Sequence, residues 1–197
     1  MMFSEENMAL LLKALRFSAD RHRDQRRKDT GKSPYINHPI EVAETLWRIG
    51  GVRDMVTLVG AILHDTLEDT DTTPAEIASH FGDEVLSLVV EVTDDKRLPK
   101  VERKRLQVET APHKSERAKQ VKLADKICNI YDLTHSPPED WSLERKAEYL
   151  DWTEKVVEGL RGANPKLEAY YDASLREGRQ ILEAEKKGLR FNIRSHH

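Results

Sequence analysis

The stretch Gly60-Ala61-Ile62-Leu63-His64-Asp65-Thr66-Leu67-Glu68-Asp69 decides how this chain is read. It closes the most apolar segment of the sequence, predicted as a helix over 54–69, and there the apolar pattern abruptly gives way to one histidine and three carboxylates. At about 100° per residue, His64 stands over Glu68 and Asp65 over Asp69, so all four share one broad face. Carboxylates crowded in this way repel one another unless a cation or protons neutralise them. Taken alone, His64-Asp65 is equally well a polar helix end running into a loop.

Two further anomalies bear on that choice. In Val121-Lys122-Leu123-Ala124-Asp125-Lys126-Ile127-Cys128-Asn129-Ile130-Tyr131-Asp132-Leu133, the residues Lys122, Asp125, Asn129 and Asp132 form a polar stripe along an otherwise apolar helix. Such a stripe can face water. Its flanks are apolar enough, however, to predict burial on most sides, and a buried aspartate calls for a cation. The third element is Tyr35-Ile36-Asn37-His38-Pro39-Ile40, a histidine ahead of a helix whose first turn Pro39 fits. Together His38, His64, Asp65 and Asp125 supply two imidazoles and two carboxylates. This set suits a divalent transition ion and leaves positions open for water and substrate.

Outward from these segments, apolar residues recur at helical spacing and strand-like alternation is nearly absent. Helices are expected over 4–23, from Pro39 to Gly50-Gly51, over 54–69, 73–82, 83–93, 100–109, 115–134, 142–161 and 165–187. The connection 24–37 is charged and turn-prone, with Gly31 and Pro34. No repeat or linker divides the chain. The expectation is one all-α, irregular multi-helix domain over 1–197, with a core at about 4–162 and a C-terminal helix at about 165–188. That last helix either caps the domain or mediates self-association, so a homo-oligomer is one possible state.

Composition narrows the function classes. With 197 residues the chain fits one domain, and 32 Lys plus Arg against 35 Asp plus Glu give a net charge of −3, which argues against a generally basic nucleic-acid binder. The lone cysteine, Cys128, permits no internal bridge and fits a reducing compartment. The apolar run from Met55 to Leu63 is far too short to span a bilayer, and the run from Met8 to Leu12 is too brief for a signal core. A cytoplasmic protein with no membrane partner is expected. Neither a P-loop nor a dinucleotide-type glycine fingerprint occurs. Two basic clusters stand out against the acidic balance: Arg21, Arg23, Arg26, Arg27 and Lys28, and then Lys96, Arg97, Lys100, Arg103, Lys104 and Arg105. Either can be a solvated face. Concentrated beside a metal, they would draw in a small polyanion, and the first leads directly into the His38 loop.

The order His38…His64-Asp65…Asp125 is the signature of the HD-domain phosphohydrolases. The segments Arg23-Asp24-Gln25-Arg26-Arg27-Lys28-Asp29, Pro34-Tyr35-Ile36-Asn37-His38-Pro39, Leu63-His64-Asp65-Thr66-Leu67-Glu68-Asp69-Thr70 and Val92-Thr93-Asp94-Asp95-Lys96 carry the likeness further. With Val121-Lys122-Leu123-Ala124-Asp125-Lys126, they resemble the hydrolase domain of RelA/SpoT-type alarmone enzymes, above all the stand-alone small alarmone hydrolases that include the metazoan SpoT homologues. The likeness spans roughly residues 14–160.

The resemblance implies a Mn2+-dependent enzyme that removes the 3′-pyrophosphate of (p)ppGpp, giving GDP or GTP and pyrophosphate. By position it implies that His38, His64, Asp65 and Asp125 hold one ion, and that Glu68 and Asp69 orient and deprotonate the attacking water. It further implies Arg27 and Lys28 against the base or phosphates, Tyr35 and Asn129 near the nucleoside, and Lys100 and Arg145 by the phosphate tail. Tyr131 departs from the arginine expected there, and Asp132 from a frequent threonine. Alternative readings are an HD phosphatase for another nucleotide such as NADPH, or a nucleotide sensor without turnover; the Glu68-Asp69 pair argues against the sensor. His80 and His113 are expected to be structural or exposed, and His135, His196 and His197 are set aside from the site. Cys128, Trp47, Trp141, Tyr149 and Trp152 are expected in the core.

Overall fold

The computed structural model describes residues 4–188, and within that span the regular elements are helices, with one isolated bridge between Arg26 and Pro34. His196 and His197 lie outside the described residues. The all-α expectation holds.

Short polar side chains start most helices by accepting the first free backbone N–H groups. Ser4 opens α1 (Glu5–Arg21), Asp54 opens α3 (Met55–Leu63), and Thr73 with Glu76 closes a reciprocal capping box on α5 (Pro74–Phe81). Between α3 and α5 lies the short α4 (Thr66–Asp69). Gly82, at φ 87°, makes the corner into α6 (Asp83–Val92), a left-handed conformation that favours glycine. The remaining helices are α2 (Asn37–Arg48), α7 (Lys100–Thr110), α8 (Glu116–His135), α9 (Leu143–Glu158) and α10 (Pro165–Lys186). A single 3-10 turn, Ala111–His113, joins α7 to the approach of α8.

The expected continuous helix over 54–69 breaks at His64-Asp65. Two side chains take carbonyls that a continuing helix would need. The Nδ1 of His64 lies 2.7 Å from the carbonyl of Ala61, and the Thr66 hydroxyl donates to the carbonyl of Leu63 at 2.7 Å. At the break both residues keep right-handed helical backbone angles, with His64 buried and Asp65 half-buried.

Helix α8 is the axis of the fold, with α2, α3, α6, α9 and α10 packed around it. Its Val121, Leu123, Ala124, Ile127, Cys128 and Ile130 are all buried. Helix α10 lies along α8 and α9, burying Leu167, Tyr171 and Leu175, and the Tyr171 hydroxyl donates to Thr153 at 3.0 Å. Capping, one of the two roles expected of the C-terminal helix, therefore describes its packed face.

A closely packed crossing joins α3 to α6. A methyl group placed on Gly60 would sit 2.5 Å from Leu88 Cδ2. Gly60→Val is expected to destabilise the fold by about 3 kcal/mol, the upper end for overpacking. Thermal unfolding should show a melting temperature lowered by several degrees; an unchanged value would mean that α6 yields freely.

Candidate metal centre and its cleft

Three helix ends and the middle of α8 bring the polar residues together. His38 enters on the first turn of α2, His64 and Asp65 at the break after α3, and Asp125 from α8. All four are inside the fold: His38 is 2% exposed, His64 6% and Asp125 8%, with Asp65 half-buried. One donor atom each from His38, His64 and Asp65 falls within a 4.8 Å span. Asp125 Oδ1 joins them at 3.1 Å from His38 Nε2 and 3.9 Å from His64 Nε2. The backbone carbonyl of Ala61 accepts the Nδ1–H of His64, so Nε2 is the nitrogen turned to the carboxylates, where it takes either a proton or a cation. That Nε2 is buried, 3.1 Å from Asp65 Oδ2, and makes no hydrogen bond among the described residues. An orphaned imidazole nitrogen aimed between two carboxylates fits a divalent cation.

The electrostatics point the same way. Burial disfavours the charged imidazolium of His64, yet Asp65 and Asp125 outweigh it and lift its pKa to about 9. Burial also opposes the carboxylate of Asp65, but His64 and His38 hold it well below the usual range; Asp125 is likewise held low, against its burial, by Lys126 and His38. His38 is pushed down by burial. The two carboxylates thus stay ionised and demand positive charge between them.

An HD domain family model matches residues 14–150. The chain belongs to the HD domain family. The curated guanosine-3′,5′-bis(diphosphate) 3′-pyrophosphohydrolase MESH1 of Homo sapiens is 58% identical over 160 residues, which are 81% of this chain and 89% of that protein. Its Xenopus tropicalis counterpart is 56% identical over 164 residues, 83% of this chain and 92% of that one. Among solved structures, a metazoan orthologue of SpoT reported to hydrolyse ppGpp superposes with a TM-score of 0.86 at 43% identity, covering 92% of this chain and 99% of its own. The resemblance read from the sequence motifs is therefore correct, and an HD domain of this kind implies a divalent metal.

Around the HD cluster the structure orders a second layer of side chains. The Tyr35 hydroxyl donates to Asp65 Oδ2 at 2.6 Å, so this ring is held at the cluster itself. Burial and the charges of Asp65 and Asp69 push its pKa up, keeping it a donor. Lys126 donates to Asp125 Oδ2 at 3.0 Å from beneath, and Asn129 donates to Asp125 Oδ1. Glu68 accepts the backbone N–H of Asp94 at 3.2 Å, and burial together with the charge of Asp94 raises its pKa. Asp69 accepts from Gln25 Nε2 at 2.8 Å and pairs with Lys96.

The cluster opens into two adjoining cavities of about 850 and 340 Å3 that share Tyr35, His38, Glu68, Asn129, Trp141 and Tyr149 as walls. The larger is bordered by Arg27, Lys28, Asp69 and Tyr131, the smaller by Lys100, Arg103, Lys104, Lys122 and Arg145. Every residue expected in the site lies on one cavity or the other, and the polar stripe of α8 is their common inner wall. Arg27 is paired with Asp132. Burial and the neighbouring charges of Arg145, Lys28 and Arg103 lower the pKa of Lys100.

Trp141, Tyr149 and Trp152 are only half-buried, and they combine packing against the core with a place on the cleft. Arg145 lies 4.2 Å above the Trp141 ring, and Lys104 and Lys126 lie 4.6 and 4.7 Å from that of Trp152. Tyr131 stacks on His135 at 4.0 Å and 12°, half-exposed at the rim. His80 and His113 are exposed as expected, and Cys128 is buried with its thiol pushed up to about 12 by desolvation.

Sequence reading missed His22, Gln25, Asp94 and Lys126. Lys126 sits off the stripe of α8, so helical spacing alone gives no sign that it reaches Asp125. Gln25 and Asp94 lay inside recognised motifs but carried no assigned role.

Proposed function

We propose that this chain is a metal-dependent pyrophosphohydrolase that removes the 3′-pyrophosphate of (p)ppGpp, releasing GDP or GTP and pyrophosphate. One observation carries the reading: the convergence of His38, His64, Asp65 and Asp125 at the base of a cleft whose walls are basic and aromatic. A nucleotide carrying pyrophosphate on both sides of its ribose is a compact polyanion with one flat base, and these walls offer cations and rings in matching proportion.

In this reading His38, His64, Asp65 and Asp125 hold one divalent ion, and we assign Mn2+ because the mixed imidazole and carboxylate set suits a transition ion. When bound, such an ion lowers the pKa of its water toward ~7 and polarises a phosphoryl oxygen. The chain's own groups do the rest. Glu68 and Asp69 orient the attacking water and accept its proton, with the raised pKa of Glu68 bringing that carboxyl toward the range useful for proton transfer. Lys100 and Arg145 meet the phosphate tail and stabilise charge on the departing pyrophosphate. Arg27 and Lys28 meet the base or phosphates, and Tyr35 and Asn129 bound the nucleoside side. We assign the work to a single hydrolase domain in the cytoplasm, acting on free nucleotide rather than nucleic acid. No helix of the described residues is long and apolar enough to cross a membrane.

Pyrophosphate release from ppGpp with added Mn2+, measured beside phosphate release from NADPH, tests the proposal. Rapid pyrophosphate release that a chelator abolishes is the expected result. Phosphate release from NADPH with no cleavage of ppGpp would overturn the substrate, and absence of both would overturn the reaction class.

A further inference from the structure

His22 follows the last turn of α1 and is 2% exposed, yet it touches none of the four clustered residues directly. Its Nδ1 lies 2.6 Å from Gln25 Oε1, and Gln25 Nε2 donates to Asp69 Oδ2 at 2.8 Å. Its ring centroid lies 4.9 Å from that of Tyr35, the planes tilted by 32°, and Tyr35 is the residue that donates to Asp65. Its Nε2 is buried with no hydrogen bond among the described residues.

These contacts fix which nitrogen of His22 donates. A carboxamide beside an ionised carboxylate must present its NH2, so Gln25 turns Nε2 toward Asp69 and Oε1 toward His22. The imidazole must then donate from Nδ1. Its Nε2 is left as a bare acceptor, which is cheaper to bury unpaired than an N–H. The opposite tautomer would bury an unpaired N–H and set a lone pair against the carboxamide oxygen. The surrounding backbone fixes the spacing: Gln25 N–H donates to His22 O at 3.0 Å, and Tyr35 N–H to Gln25 O at 3.1 Å.

We infer that His22 is a positioning residue for the hydrolysis, acting through Gln25 to hold one oxygen of Asp69 in place. Asp69 Oδ2 is thereby occupied by a fixed donor. Oδ1 pairs with Lys96, so both oxygens are held by donors and the proton from water comes to a remaining lone pair of this fixed carboxylate. Without the donor at His22 the Gln25 carboxamide is free to rotate, and its oxygen, turned toward Asp69, repels the carboxylate it now steadies. The inference rests on the role of Asp69 proposed above.

The experiment pits a donor without the ring against the ring without a donor. His22→Asn offers an amide N–H near the place of Nδ1, whereas His22→Phe keeps the aromatic volume against Tyr35 and cannot donate. With ppGpp and Mn2+, His22→Phe is expected to lose about 10-fold in kcat, the worth of one hydrogen bond near 1.4 kcal/mol, with KM within about twofold. His22→Asn is expected to recover most of kcat. A purely packing role predicts the reverse ranking, and that ranking would overturn the inference. Should His22→Phe fail to fold, Gln25→Leu removes the same relay from the exposed side and is expected to show the same loss in kcat with KM kept. Nitrogen NMR of histidine-labelled wild-type protein gives a readout independent of turnover: His22 is expected to carry a proton on Nδ1. A bare Nδ1 with the proton on Nε2 would refute the relay even in an active enzyme. Inactivity toward ppGpp with the Nδ1–H tautomer present would count against the proposed reaction and leave the relay standing.

Discussion

Asp125→Asn is expected to bring pyrophosphate release down by about 10³-fold or more, because the substitution removes a charge on which both imidazoles converge. Asp125 Oδ1 lies 3.1 Å from His38 Nε2 and 3.9 Å from His64 Nε2, so it is the group that ties α8 to the other helix ends. Losing several kcal/mol of charge stabilisation at the reacting phosphate corresponds to this factor at about 1.4 kcal/mol per decade. Asparagine is the informative replacement. It keeps the volume and still accepts from Lys126, which is 4% exposed. Alanine would leave that buried lysine unpaired, a loss of about 3–5 kcal/mol that would confuse misfolding with inactivity. Calorimetric titration with Mn2+ should show much weakened binding in a protein whose circular dichroism stays that of the folded helical domain. Full metal affinity and full turnover in Asp125→Asn would remove this residue from the site.

Asp69→Asn separates proton transfer from metal binding. The side chain contacts Gln25 and Lys96, not the four clustered residues, so metal affinity should stay at the wild-type level. Turnover should fall by about 10²-fold or more, the usual scale for loss of a positioned base. The isosteric amide can still accept from Gln25 or Lys96, which preserves the local packing. If turnover survives with metal bound, the base is elsewhere, and Glu68 is the next group to test. Its carboxyl faces the same cleft, with a pKa raised by burial and by Asp94.

The difference between these variants reflects what could be read from the amino-acid sequence and what could not. Helical periodicity was enough to identify an all-α chain, and polar residues in apolar helices were enough to pick out His64, Asp65 and Asp125. The polar stripe of α8 was visible because its spacing is set by a single helix. The break between α3 and α4 was not visible, since it depends on side chains of His64 and Thr66 capturing backbone carbonyls, and periodicity carries no trace of that competition. His22 was passed over for another reason. Its partners are Gln25, three residues on, and through it Asp69, 44 residues beyond Gln25. The hairpin 25–35 that closes this distance is held by the Arg26–Pro34 bridge and by Asp29 accepting from Ser33, features with no periodic signature. Helical spacing alone places Trp141 and Trp152 in the core, where aromatic residues at such spacing usually lie. Their second role becomes legible only where Lys104 and Lys126 lie across the Trp152 ring and Arg145 across that of Trp141.

The central claim is that one divalent cation is shared by residues from α2, from the α3–α4 break and from α8. Crystals of the protein soaked in Mn2+, with diffraction recorded at the manganese absorption edge, test it most directly. The expected result is a single strong anomalous peak bonded to His38, His64, Asp65 and Asp125. A peak that excludes Asp125, or one centred away from this cluster, would contradict it.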